Sequence, residues 1–179
     1  MPTILQNRLI DEVMDAFSPA LGSARQAYAG HAHRVYNIAC AVRGTEGEND
    51  ELAIASAFHD LGIWSDDTFD YIEPSITRAR DFLRDRGVSA NAELIVELIR
   101  HHHRLRRVRS GLDPALVEAF RQADLVDVTT GLYRAGLPRS FLRELSAAYP
   151  NAGFQRILLR TAGAWCLRHP LRPLPMLEF

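Results

Sequence analysis

The strongest constraint on this chain is its punctuation. Apolar residues recur at spacings of three and four, and each such stretch stops at a glycine, a proline or a polar cluster. No stretch of convincing length alternates apolar and polar residues with a period of two. Ile4, Leu5, Leu9, Val13 and Phe17 share one helical face over 3–17, which Ser18-Pro19 ends. His31, Val35, Ile38 and Val42 form one stripe over 29–43. After the polar loop that begins at Gly44, Asp50 is a suitable N-cap for a helix over 51–60, with Gly62 as its stop. Pro74-Ser75 opens a segment that Gly87 closes, and Ser89 is placed to cap the next, which runs through Ile95, Leu98 and Ile99 into His101-His102-His103. Asp113-Pro114 opens a helix carrying Leu116, Val117, Phe120, Asp124 and Val128. Segments 138–149 and 153–168 complete about eight helices. The expectation is an all-α bundle spanning 1–179 as a single domain. Its motif-bearing core covers about 28–130, and C-terminal helices with an apolar tail cover 138–179. The tail, Leu171 to Phe179, is too apolar to stay free and is expected to dock on the body or on a second copy, as in a homodimer.

Composition narrows the chemistry. The chain has 179 residues, 47% of them hydrophobic, which is enough for a real core. All 21 of its basic residues are arginines, set against 22 acids for a formal net charge of -1. Without lysine there is no Schiff-base chemistry, no lysine general base and no phosphate loop ending in Gly-Lys-Ser/Thr. Near-neutral charge argues against general nucleic-acid coating. No apolar run approaches the ~18 residues of a membrane span. The early Asp11, Glu12 and Asp15 do not fit a signal peptide. Cys40 and Cys166 lack CxxC spacing and read as reduced thiols. Together these features lead us to expect a cytoplasmic domain with a small-molecule partner and no membrane.

Histidine placement carries the functional signal. Six of the seven histidines lie between His31 and His103. His59-Asp60 ends an apolar helix containing Leu52, Ala55 and Phe58. A buried imidazole and a buried carboxylate side by side are costly without strong partners. A hydrogen bond between the two would suffice for this dipeptide alone. His31 lies on an apolar stripe, however, and Asp124 sits four residues from both Phe120 and Val128. Three helices thus each direct metal-type ligands inward, an N/O set suited to a borderline divalent ion such as Mn, Co, Ni, Fe, Mg or Zn.

These residues resemble a known family. His31-Ala-His-Arg34-Val35-Tyr36, Ala57-Phe-His59-Asp60-Leu-Gly62 and Ala123-Asp124 are similar to the H…HD…D signature of the HD-domain metal-dependent phosphohydrolases. The likeness runs from about Gly30 to Val128. It implies a helical bundle around one metal centre ligated by His31, His59, Asp60 and Asp124, with His33 a polar neighbour. Ile99-Arg-His-His-His resembles a further element of the family, with His102 its leading histidine. His102 is then a substrate contact, a general acid or a ligand to a second metal, and His103 is a substrate contact. A polar helix end is the structural alternative. Between Asp60 and Arg100 there is no histidine, so the second histidine set of the oxygen-using branch is incomplete. The Tyr71-Ile-Glu73-Pro74-Ser75 element resembles an uncharacterised subgroup of small HD proteins. Glu73 is there either a general base or a carboxylate favoured by a helix N-terminus. Asp127 either orients a ligand imidazole or is exposed. Arg34, Arg100 and Arg104 are the arginines near enough to clamp a phosphate.

The resemblance implies hydrolysis of a small phosphorylated molecule, a phosphomonoester or a nucleotide, with Asp60, His102 and Glu73 in catalytic roles. Two rivals stand beside it. One is a non-phosphate hydratase or hydrolase at the same metal, similar to cyanamide hydratase. The other is a metal-containing ligand-binding or sensing module without catalysis.

Overall fold

The computed structural model describes residues 2–45, 47–87, 89–173 and 175–176. Among them every regular element is helical, as the periodicity predicts. The order is α1 (Arg8–Ala16), α2 (Ser18–Leu21), a 3-10 turn (Gly22–Ala24), α3 (Arg25–Arg43), α4 (Asp50–Phe58), α5 (Gly62–Ser65), α6 (Ile72–Arg86), α7 (Ala92–His101), α8 (Pro114–Val128), α9 (Arg139–Ala148) and α10 (Phe154–Arg168). Eight of these have nine residues or more, and α2 and α5 are single turns.

Helix α3 is the axis of the bundle. It packs against α8, α4 and α1, and its buried residues run without a break from Gly30 to Cys40. A helix enclosed on all sides must satisfy its polar side chains internally. Asn37 does so by gripping the chain before α1. Its Oδ1 accepts from Leu5 N–H at 2.6 Å, and its Nδ2 donates to the Leu5 carbonyl at 3.0 Å. That clamp holds the N-terminal segment out of a helix, so α1 starts at Arg8, with Asn7 as its cap, and not at residue 3. Asn49 and Asn91 likewise cap α4 and α7, one residue before Asp50 and two after Ser89.

Two glycines permit close approach. A Cβ on Gly30 would stand 2.5 Å from the Pro150 carbonyl oxygen, so only glycine lets the segment before α10 rest on α3. A Cβ on Gly62 would stand 2.6 Å from the Tyr71 carbonyl oxygen. The Gly62 N–H also donates to the Ser75 hydroxyl at 2.9 Å, which draws the start of α6 over the His59-Asp60 turn.

The tail returns to the body. Met176 is buried with Ile63, Phe69 and Tyr71, against Trp165 of α10. Leu171, at the start of the tail, is fully exposed and does not dock; Leu174, Leu177 and Phe179 lie outside the described residues, as does Glu178. Among the described residues no helix is long and apolar enough to cross a membrane. Cys40 and Cys166 are free thiols.

Candidate metal centre

Four helices and one turn bring their polar residues to a single point. His31 comes from α3, His59 and Asp60 from the turn that follows α4, His102 from the residue that caps the C-terminus of α7, and Asp124 from α8. All five are buried, at 0–3% exposure. Their ligand atoms group as His31/His59/Asp124, His59/Asp60/His102 and His102/His103/Asp124, each set within 4.8 Å.

The hydrogen bonds around the imidazoles explain what this point can hold. His31 Nδ1 donates to Asp127 Oδ2 at 2.7 Å, His59 Nδ1 to the Ser56 carbonyl at 2.9 Å, and His102 Nδ1 to the Ile99 carbonyl at 2.6 Å. With Nδ1–H used in this way, each neutral ring presents a lone pair at Nε2. The Nε2 atoms of His31 and His59 stand 2.9 Å apart. Asp60 Oδ2 lies 3.6 and 3.5 Å from them, and Asp124 Oδ1 lies 3.6 and 3.7 Å away. Asp60 Oδ1, Asp124 Oδ1 and His102 Nε2 have no hydrogen-bond partner. Acceptors facing acceptors without donors are costly when buried, so the cluster needs cations, either protons or a metal ion. Ligands about 2.1 Å from a common ion at right angles stand about 3 Å apart, close to the Nε2 separation found. The residues present therefore fit a divalent ion.

Without a metal, protons fill that need. Burial disfavours a charged His31, but its hydrogen bond to Asp127 and the nearby Asp60 carboxylate outweigh burial and raise its pKa to about 9. Burial likewise opposes charge on His102, yet the Asp60 carboxylate lifts it above its ordinary value. Burial would raise the Asp124 pKa, but the closeness of His59 and the other imidazoles brings it down to about 2. His103 goes the other way, since burial and the charge of His102 push it to about 4.

Aromatic rings close the shell. Phe154, the first residue of α10, stacks on His31 with centroids 4.0 Å apart, and Phe120 meets His59 edge-on at 5.7 Å. The Tyr71 hydroxyl shares a 2.6 Å hydrogen bond with His103 Nε2, while His103 Nδ1 lies 3.7 Å from Asp124. His103 is about a quarter exposed and marks the open edge of the cluster.

The structure thus brings together His31, His59, Asp60, Asp124, His102 and His103. It separates three other candidates from the cluster. The expectation that Arg34 contacts substrate is corrected: its Nε and Nη2 donate to Asp127 at 2.5 and 2.9 Å, and its Nη1 donates to the Tyr149 carbonyl. Buried and fully engaged, Arg34 fixes the carboxylate that orients His31. Glu73 and Arg100 are corrected as well. They bond to each other at 2.7 Å on the surface, with the Glu73 side chain 69% exposed, so neither enters the cluster. Arg104 follows His103 and lines a cavity of about 480 Å³ with Arg106, Arg107 and Arg109. His33 pairs with Asp11 at 3.0 Å and stacks on Tyr149.

Of Asp127's two alternatives, the structure shows the one that orients an imidazole. Tyr71, Ser75 and Phe154 support the cluster without having carried a role in the sequence. Tyr71 and Ser75 lay within a recognisable element, but Phe154 gave no signal, because its contact with His31 spans more than a hundred residues of chain. No family model, no curated protein and no solved structure matches the chain.

Proposed function

We propose that this chain is a metal-dependent hydrolase of a small phosphorylated molecule, as its likeness to the HD-domain phosphohydrolases implies. The observation that carries the proposal is the convergence of Nε2 and carboxylate acceptors on one buried point, with every opposing Nδ1–H already committed. His31, His59, Asp60 and Asp124 would hold the ion. A bound divalent metal supplies a water of lowered pKa and positive charge for a phosphoryl oxygen.

The chain's own groups divide the remaining tasks. Asp127, held by Arg34, fixes the tautomer and angle of His31, as the Ser56 and Ile99 carbonyls do for His59 and His102. Asp60 Oδ1, 3.4 Å from His102 Nε2, accepts a proton from the attacking water. His102 Nε2, whose affinity for a proton is raised, returns one to the departing oxygen. His103 stays neutral at the open edge, where Tyr71 holds it towards arriving substrate. Arg104 and its neighbouring arginines offer guanidinium forks to the phosphate.

A panel of phosphomonoesters and nucleotides tests this reading. Phosphate release that requires metal and falls about 10²–10⁴-fold in His59→Ala and in Asp60→Ala is expected. A second reading rests on the near-complete enclosure of the ligands, since closed sites are typical of structural metals. Bound metal with no turnover on any substrate would favour a binding or sensing module. Turnover confined to nitrile-type substrates would favour a hydratase.

A further inference from the structure

A further cavity lies away from the histidine cluster, on the other side of His31. It is a dish of about 520 Å³ between α3, the end of α8 and α9. Its floor is the Arg34–Asp127 pair, whose carboxylate already bonds to the Arg34 guanidinium and to His31 Nδ1. Arg134, Arg139 and Arg143 line its rim, and no carboxylate lies within ion-pair distance of any of them among the described residues. Three exposed guanidinium groups without a carboxylate partner make the concavity electropositive and attractive to an anion. Arg139 is also the first residue of α9, whose N-terminus has no side-chain cap and adds positive field. The wall between the arginines is apolar, formed by Ile38, Val126, Leu142 and Leu145.

We infer that this dish is a second binding site, for a small phosphate-bearing molecule with an apolar body. Three planar forks suit the several oxygens of a dianionic phosphoryl group better than the two of a lone carboxylate. The volume is in the range of small-ligand sites, and the leucine wall accepts the rest of the molecule. The site does not depend on the hydrolase reading, because Asp127 and His31 stand between it and the cluster.

Calorimetric titration of the full chain with phenylphosphonate, which resists hydrolysis, tests the inference. With metal removed by a chelator, so that the histidine cluster does not add a second phosphonate site, saturable binding at the dish is expected. The Arg139→Ala/Arg143→Ala double variant should weaken binding at least about tenfold, with helical circular dichroism unchanged. Arg143→Gln, a single exposed change, should weaken it about threefold and serves if the double variant folds poorly. Arg80→Ala, on the surface of α6 where it pairs with Glu93, should leave it unaltered. Absence of saturable binding, equal affinity in the Arg143 variants, or an equal loss in Arg80→Ala would overturn the assignment.

Discussion

Helices α3 and α10 are similar in length, at 19 and 15 residues, yet the molecule uses them in opposite ways. α3 buries thirteen residues, including His31, His33, Arg34 and Asn37, and each of these has a partner from another element. α10 buries Phe154 alone and leaves Leu159 and Leu167 at 74% and 87% exposure. Unpaired acceptors are tolerated only where surrounding packing fixes them, and α3 supplies that rigidity. α10 contributes one fully buried ring to the cluster, and its other inward side chains, Ile157, Leu158 and Trp165, are only partly buried.

The sharpest way to break this contrast is Asp127→Ala. It leaves the Arg34 charge buried and unpaired and releases His31 Nδ1, so a loss of about 3–5 kcal/mol in urea unfolding is expected. A loss below about 1 kcal/mol would mean that the α3 network is not rigid. Next comes Phe154→Ala, the one fully buried side chain of α10, with an expected cost of about 3 kcal/mol in the same assay. A near-neutral result would show that α10 is not tied to the core through this ring.

A smaller effect follows from pH. The His31 pKa is raised from 6.5 to about 9, so in metal-free protein its stabilising proton is fully present below about pH 6.5 and is lost as pH rises through 9. Metal must displace that proton, so its affinity should rise about tenfold per pH unit across the same window. Competition titration with a metal-sensitive dye checks the slope, and a flat profile would mean that His31 is not among the ligands. Smallest of all, Leu159→Ala should shift stability by no more than about 0.5 kcal/mol. A larger loss that depends on protein concentration would reveal a partner on α10.

How much of this was readable from the chain also differs between regions. His31, Asp124 and His59-Asp60 announced themselves because inward polar residues interrupt apolar stripes, a local signal. Gly87 and Asp113-Pro114 likewise marked helix ends through backbone chemistry alone. Cap positions slipped by a residue or two where neighbouring side chains were equally able to cap, as at Asn49-Asp50. The extended start of the chain was not readable, because Asn37, thirty-two residues away, decides it. The same holds for Arg34, whose partner Asp127 is ninety-three residues distant and turned an expected substrate contact into a buried support.

The central claim is that the His/Asp cluster binds a divalent metal ion. Elemental analysis of protein purified without chelators or a histidine tag, followed by equilibrium dialysis against manganese, tests it most directly. The account predicts saturable metal uptake by the wild type, abolished in His59→Ala and Asp60→Ala and retained in Leu159→Ala. Protein that takes up no metal, or His59→Ala and Asp60→Ala variants that bind as much as the wild type, would contradict it.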